Sequence, residues 1–255
     1  MARAIILLPA KDEEEGLGEV IDRIPMKEIE KKGYSIRVVV VDGSSTDSTR
    51  EIAASKGADV ILQKSFKGKG WGFREAVQII FRSKDLEGDL LVMLDADATY
   101  ASEEIPRFID ELQSFDVVWG SRLSGNIQEG AMSKTNWAGN YLLSLSASII
   151  FLRRTTDLCT GFWGFRSKIL STLPLTAKGF TLEAELFGLS MKYNLSTKEI
   201  PIDYSTREGD SSLRWYIDGP RIFLASIKKR FEYTRRPIHD LLYVSAFVVL
   251  VWSVF

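Results

Sequence analysis

The chain has almost none of the residues that build disulfide frameworks or histidine-centred sites. Cys159 is the single cysteine in 255 residues, which excludes an intrachain disulfide and favours a reducing setting. With no second cysteine to resolve it and no histidine paired with it, it reads as structural. His239 is the single histidine; it follows Pro237 beside an apolar run, where a structural or interfacial role suits it. An excess of one charge is also missing. Thirty-three Lys/Arg stand against 34 Asp/Glu, for a formal net charge of −1, so nothing points to a nucleic-acid partner. There is no internal repeat and no low-complexity linker. The length and the 45% hydrophobic content suit one domain, or at most two, with a sizeable core. The apolar run near the N-terminus is too short for a signal peptide, and Pro9 ends it.

What is present is uneven. Leu241–Phe255 "LLYVSAFVVLVWSVF" is fifteen residues without a charge. As a helix it would span ~22 Å at 1.5 Å per residue, against ~30 Å for a hydrocarbon core. It is read as a membrane-dipping or single-span tail in preference to a buried core helix. Lys228, Lys229, Arg230, Arg235 and Arg236 precede it and would hold the protein on the cytoplasmic face of the cell membrane. Between Arg214 and Arg236 there are seven Lys/Arg and two Asp/Glu. Ile217, Leu224, Ile227 and Phe231 recur there near helical spacing, as in an interfacial amphipathic helix or one packed on a sheet.

Upstream, short β-branched runs alternate with helical patterns. "AIILL" (Ala4–Leu8), "IRVVVV" (Ile36–Val41), "DVILQ" (Asp59–Gln63), "DLLVML" (Asp89–Leu94) and "FDVVWGS" (Phe115–Ser121) read as strands. Gly16–Lys32, Ser48–Lys56, Trp71–Arg82 and Glu103–Gln113 read as the helices between them. The pattern predicts an open α/β sheet with ligands at the carboxyl ends of its strands. Later, Trp137–Leu152 contains a helix apolar nearly all round, hence buried or membrane-facing, and "KEIPIDY" (Lys198–Tyr204) reads as a further strand.

The chemistry gathers at the strand ends. In "LLVMLDADATY" (Leu90–Tyr100), Asp95 and Asp97 share a face if the strand persists through them. Two close carboxylates raise each other's pKa unless a cation intervenes, and a hard divalent ion shared with substrate phosphates needs only one or two carboxylates. A helix cap is the plainer use of one of them. "PAKDEE" (Pro9–Glu14) follows the first strand and "VDGSSTD" (Val41–Asp47) the second, with acids able to read a base or ribose or to cap a helix. "KGKGWG" (Lys67–Gly72) is a basic, Gly-rich helix start suited to anions. None of these is a P-loop or dinucleotide fingerprint.

As a set, these motifs resemble family 2 glycosyltransferases of the GT-A fold. "PAKDEE" stands for the family's Pro-x-Tyr-Asn-Glu loop, "VVVVDGSSTD" for its Val-Asp-Asp-Gly-Ser-x-Asp turn, and "LDADAT" for its Asp-x-Asp. "WGSR" (Trp119–Arg122), "DLCTGFWGFR" (Asp157–Arg166) and "STREGDSS" (Ser205–Ser212) resemble the dolichol-phosphate, or polyprenyl-phosphate, sugar synthase branch, with an archaeal cast. The resemblance covers roughly residues 4–236. The chain departs from the pattern at Lys11 and Asp12, which replace Tyr-Asn, and in "VDGSS", which lacks one of the paired acids. Ser211 stands where processive synthases carry Gln, which favours a single sugar transfer over polymerisation.

The resemblance implies a GT-A-type, mainly parallel sheet flanked by helices, with a catalytic domain over 1–212. A basic amphipathic segment over 213–237 and a hydrophobic membrane-associated tail over 238–255 complete the expected organisation. It implies transfer of one sugar, with inversion, from a nucleotide-sugar (a UDP-sugar before GDP-mannose) to dolichyl or polyprenyl phosphate. Pro9, Ala10, Glu13 and Asp42 would line the nucleoside pocket, with the Ala96 backbone near the diphosphate. Asp95 and Asp97 would hold Mg²⁺ or Mn²⁺, and Arg207 would clamp phosphate, joined by Lys178 unless that is a plain surface lysine. Arg122, Lys134 and Ser212 would bind the acceptor phosphate, Lys134 in a place where the branch favours Arg. Of Glu183 and Glu185, two apart on a helix, at most one would face the site. The rivals are a sugar-1-phosphate nucleotidyltransferase, which "PAKDEE" is too acidic to suit, and a non-catalytic, membrane-anchored nucleotide-sugar-binding protein.

Overall fold

The computed structural model describes residues 1–64, 68–82, 86–207 and 215–233. Lys67, Ser211, Ser212, His239 and the Leu241–Phe255 run lie outside the described residues. In chain order the elements begin β1 (Ala2–Ala10), α1 (Leu17–Asp22), α2 (Met26–Lys31), β2 (Tyr34–Asp42), α3 (Thr49–Ser55) and β3 (Asp59–Leu62). Next come α4 (Lys69–Ile80), β4 (Leu90–Met93), a 3₁₀ turn (Ser102–Glu104), α5 (Ile105–Glu111), β5 (Val117–Ser121) and α6 (Lys134–Phe151). The chain continues through β6 (Trp163–Arg166), α7 (Ser167–Leu170), α8 (Leu182–Lys192), β7 (Thr197–Pro201) and α9 (Trp215–Tyr233).

The strands form one seven-stranded sheet in the order β3-β2-β1-β4-β6-β5-β7. β3, β2, β1 and β4 run parallel, as do β5 and β7, whereas β6 is antiparallel to both its neighbours. The β-branched and Leu-rich runs are buried on both faces. Alternation sends Ala4, Ile6 and Leu8 of β1 into a core with α1, α2 and α5. It sends Ile5 and Leu7 into a second core under α4, α6, α8 and α9. Each such side chain contributes roughly 1.5–3 kcal/mol by leaving water.

Three expectations change. The helix expected over Gly16–Lys32 is two helices, because Pro25 has no N–H to donate and instead stands at the N-cap of α2. β4 ends at Met93, so Asp95 and Asp97 belong to a turn and strand alternation does not set their directions. The antiparallel β6 lies inside the "DLCTGFWGFR" motif, unexpected as a strand. Its reversal has a consequence. Met93 pairs with Trp163 and Leu90 with Arg166, so the segment entering β6 arrives at the carboxyl edge where β1, β4, β5 and β7 end.

α6 begins at Lys134 and turns one face inward through Ser144, Ala147, Ile150 and Phe151. Its other face exposes Trp137, Tyr141, Leu142 and Leu145, with Leu224 of α9 also exposed. Trp137 and Tyr141 stack at 5.4 Å. Among the described residues, no helix is long and apolar enough to cross a membrane.

Candidate active site

One cavity of about 1020 Å³ opens at the carboxyl edge of the sheet. Pro9 and Ala10 at the end of β1 and Lys11 and Glu13 from the loop after it line the cavity, as do Asp95, Ala96 and Asp97 from the turn after β4. Arg122, Cys159 and Arg207 also line it, and Leu142, Leu143, Phe180, Ile222 and Phe223 supply an apolar wall from the α6, α8 and α9 side.

The Asp-x-Asp turn is fixed locally. The Asp97 Oδ1 accepts from the Thr99 N–H at 3.2 Å and from its hydroxyl at 2.6 Å, and Ala98 takes the left-handed conformation at φ 60°. The other oxygen of Asp97 meets Arg207 Nη1 at 2.8 Å, while Arg207 Nη2 reaches Glu13 at 2.7 Å. Arg207 is delivered by a zipper on that turn: Tyr204 bridges to Tyr100 and Ile127, and the Ser205 N–H donates to the Thr99 carbonyl. Its Nε is buried and, among the described residues, has no hydrogen-bond partner.

Asp95 is held from the other side. Lys69 Nζ, at the start of α4, lies 2.6 Å from Asp95 and 2.7 Å from Glu183 of α8. Glycines make this closeness achievable. A Cβ on Gly161 would stand 2.2 Å from Asp95 Oδ2, and one on Gly16 would stand 2.9 Å from the Asp97 carbonyl carbon. The Gly161 N–H is itself tied to the Tyr100 hydroxyl at 2.7 Å.

The electrostatics follow from burial. Two cations, Lys69 and Arg207, are shared among four carboxylates, Asp95, Glu183, Asp97 and Glu13. If all are ionised, the cluster carries two uncompensated negative charges. Burial pushes the Glu13 carboxyl up to about 7 against the pull of Arg207. Burial and the charge of Asp95 raise Asp97. Burial alone would lower the Lys69 ammonium, yet Asp95 and Glu183 hold it well above the ordinary lysine range. Burial lifts the Cys159 thiol to about 12, which keeps it an unreactive wall residue.

The other expected residues fall in varied places. Arg122 reaches the cavity, but Asp157 takes its Nε at 2.7 Å and its Nη2 at 2.8 Å, so the pair is neutral. Glu199 arranges the Asp157 segment by accepting from the Thr156 and Asp157 N–H groups and from the Trp119 indole. Asp42 is buried and accepts from the Ser45 N–H at 3.1 Å, shaping its own turn; its neighbour Gly43 lines the cavity. Lys178 is exposed, with its Nζ 5.8 Å from the centre of the Trp71 ring. Its carbonyl, not its charge, meets α4, by accepting from the Trp71 N–H. Lys134 stands at a smaller hollow with Ile127, Met132 and Trp137, and Met132 lines both hollows. Glu183 faces the acids, its carboxyl raised by burial against the pull of Lys69, and Glu185 does not. Sequence reasoning named the "KGKGWG" loop for its charge without foreseeing that Lys69 would be spent on carboxylates.

A match to the family described as glycosyl transferase family 2 spans residues 5–173. The chain is a family 2 glycosyltransferase. It is 32% identical over 222 residues to glycosyltransferase AglJ of Haloferax volcanii, covering 86% of this chain and 69% of that protein. It is 30% identical to a dolichyl-phosphate hexose transferase of the same organism, over 89% of this chain and 93% of that one. A dolichol-phosphate mannosyltransferase of Pyrococcus furiosus is 26% identical, over 82% of this chain and 58% of its own length. Among solved structures, glucosyl-3-phosphoglycerate synthase of Mycobacterium tuberculosis, in complex with Mn²⁺ and UDP-glucose, superposes with a TM-score of 0.68. That likeness is 20% identical and covers 91% of this chain and 80% of that one, so it speaks for the fold. Membership of the family sets aside the nucleotidyltransferase and the non-catalytic binding protein. The Asp-x-Asp turn, the loop after β1 and β6 all lie within the matched span of this glycosyltransferase; Arg207 and α9 lie beyond it.

Proposed function

We propose that this glycosyltransferase moves one sugar from a nucleotide-sugar to the phosphate of dolichyl or another polyprenyl phosphate, with inversion at the anomeric carbon. The observation that carries the reading is the cavity's polarity: an over-acidic cluster at one end and an apolar wall between α6 and α9 at the other. A diphosphate entering a cluster with more acids than cations meets repulsion wherever those acids are ionised, and a divalent cation arriving with it would remove that repulsion.

The residues fit such a cation. Asp95 and Asp97 offer hard oxygen donors on one turn, and Arg207 Nε is a buried donor still lacking an acceptor among the described residues. Mg²⁺ or Mn²⁺ needs only one or two carboxylates when phosphate and water complete its shell. Asp95 and Asp97 would hold it, and its chemistry would be to stabilise charge on the departing nucleoside diphosphate.

The protein's own groups have the remaining tasks. Pro9, Ala10 and Glu13 border the nucleoside end of the cavity, beside Lys11 and Gly43. Arg207, whose fork is engaged by Asp97 and Glu13, offers its remaining Nε–H to phosphate, and Lys69 keeps Asp95 in place. The acceptor needs no general base, because a phosphate monoester with second pKa ~6 is already largely dianionic at neutral pH. Arg122 with Asp157, Lys134 and Ser212 mark the acceptor side. The apolar wall takes the first isoprene units, and the exposed Trp137–Leu145 face of α6 and the residue 238–255 tail meet the cytoplasmic side of the membrane. Residues 1–212 carry the catalytic groups, and α9 of the 213–237 segment closes the same cavity with Ile222 and Phe223.

The resemblance to archaeal dolichyl-phosphate transferases favours a UDP-sugar, with GDP-mannose the competitor. The test is a panel of radiolabelled nucleotide-sugars incubated with dolichyl phosphate and Mg²⁺ or Mn²⁺, then extracted into organic solvent. One donor should carry label into the lipid phase, and chelation or Asp97→Asn should abolish it. No lipid-phase label from any donor, or full transfer by Asp97→Asn, would reject the reading.

A further inference from the structure

α8 carries two buried glutamates two residues apart, and they hold different partners. Glu183 binds Lys69 beside Asp95. Glu185 accepts from the Thr176 and Ala177 N–H groups, the latter at 2.7 Å, and meets Lys229 Nζ of α9 at 2.6 Å. Lys229 is itself buried and also donates to the Thr176 hydroxyl at 2.8 Å. Gly188 leaves room for this approach: a Cβ there would meet Lys229 Cβ at 3.4 Å and the Phe151 ring at 3.2 Å.

The Thr176–Lys178 segment held by Glu185 and Lys229 lies flush against the first turn of α4. A Cβ on Gly70 would stand 2.9 Å from the Ala177 carbonyl, and one on Gly68 would stand 2.6 Å from the Lys178 carbonyl oxygen. The Arg74 guanidinium donates to the Thr176 carbonyl at 3.3 Å. Gly68 and Gly70 flank Lys69. The segment therefore fixes the backbone from which Lys69 reaches Asp95.

We propose that Lys229 is a positioning residue for the donor site. Through Glu185 and the Thr176–Lys178 segment, the seating of α9 sets where Lys69 holds Asp95. α9 is also a wall of the cavity, through Gly219, Pro220, Ile222 and Phe223. One helix thus faces the acceptor's end of the cavity and braces the acids at the donor's end. This deepens the function proposed above and rests on its assignment of Asp95 to the donor diphosphate.

The test measures binding of UDP and of GDP to the purified full chain with Mn²⁺ and no lipid, by calorimetry, in wild type, Lys229→Met and Lys229→Arg. Lys229→Met should weaken nucleotide binding roughly tenfold, within the usual range for coupling through packed networks, and Lys229→Arg should restore most of it. Lys69→Met should weaken binding too, and adding Lys229→Met to it should cost little more, because both act through one contact. Additive losses, or a Lys229→Met protein that melts earlier yet binds nucleotide within twofold of wild type, would overturn the proposal while leaving the function intact. Wild type that binds neither nucleotide overturns both. Should Lys229→Met fail to fold, Glu185→Gln, which retains an acceptor for the Thr176 and Ala177 N–H groups, takes its place with the same expected loss.

Discussion

Adding one methyl group at Gly161 should disable the site while sparing the fold. The new Cβ would stand 2.2 Å from Asp95 Oδ2 and 2.6 Å from its Cγ, where ordinary contact begins near 3.4 Å. The carboxylate must retreat by about 1.2 Å, away from a position 2.6 Å from Lys69. Overpacking of this kind costs roughly 1–3 kcal/mol of stability, a tolerable loss for a chain of this size. Misplacing a reacting or ligating group by about 1 Å costs on the order of 100-fold in rate. Gly161→Ala should therefore lose about two orders of magnitude in kcat/KM for the nucleotide-sugar, read as label entering the lipid phase. Its circular dichroism should match wild type and its melting point should fall by a few degrees. Gly18→Ala in α1, where a Cβ would meet nothing nearer than 3.6 Å, is the matched control and should transfer at the wild-type rate. A Gly161→Ala enzyme within twofold of wild type would refute the claim that Asp95 acts from the position described.

Arg207→Lys keeps the charge but cannot span Glu13 and Asp97 with one planar fork, so donor-dependent turnover should fall about 10- to 100-fold; steady-state kinetics in donor and acceptor would check this. Replacing Trp137 and Leu145 together by Ser removes two exposed apolar side chains worth roughly 1.5–3 kcal/mol each when buried. Sedimentation with anionic vesicles should show binding reduced at least about tenfold, with an unchanged melting point. Glu13 supplies the pH test, because its carboxyl lies at about 7 in the fold against 4.5 when free. Between those values the unfolded chain has released a proton that the folded chain retains, so this group makes stability fall as pH rises through the window. Denaturant melts of metal-free protein at pH 4.5 to 7.5 should show that fall, and Glu13→Gln should flatten it.

The sheet was legible because its strands are short, β-branched and buried on both faces, a pattern that amphipathic helices do not share. β6 escaped notice because Trp163–Arg166 is short, contains Gly164 and sits within a motif read only for its resemblance to the family. Its antiparallel direction depends on pairing with Leu90–Met93, 70 to 76 residues away, which no local pattern encodes. The same limit governs the Asp-x-Asp pair. The sequence places the acids after a buried run, but alternation along a strand gives the wrong reason for their convergence. The turn that brings both to the cavity is held by Thr99 and by a left-handed Ala98, and alanine carries no signal for that conformation.

The site's charges show why residue types were readable and partners were not. Lys69 and Glu183 are 114 residues apart, and Arg207 and Glu13 are 194 apart, so the ion pairs exist only once the sheet has gathered its carboxyl edge. That gathering also decides which cations remain to meet a ligand. Arg122, expected to bind phosphate, is neutralised by Asp157, whereas Arg207 serves two acids and still has a buried N–H without an acceptor among the described residues. Four carboxylates around two cations make a cluster that repels a diphosphate when its acids are ionised. Under the function proposed above, a divalent cation arriving with the donor would offset that charge, and Glu183→Gln, which removes an acid while keeping Asp95 and Asp97, should lessen the dependence of nucleotide binding on Mn²⁺.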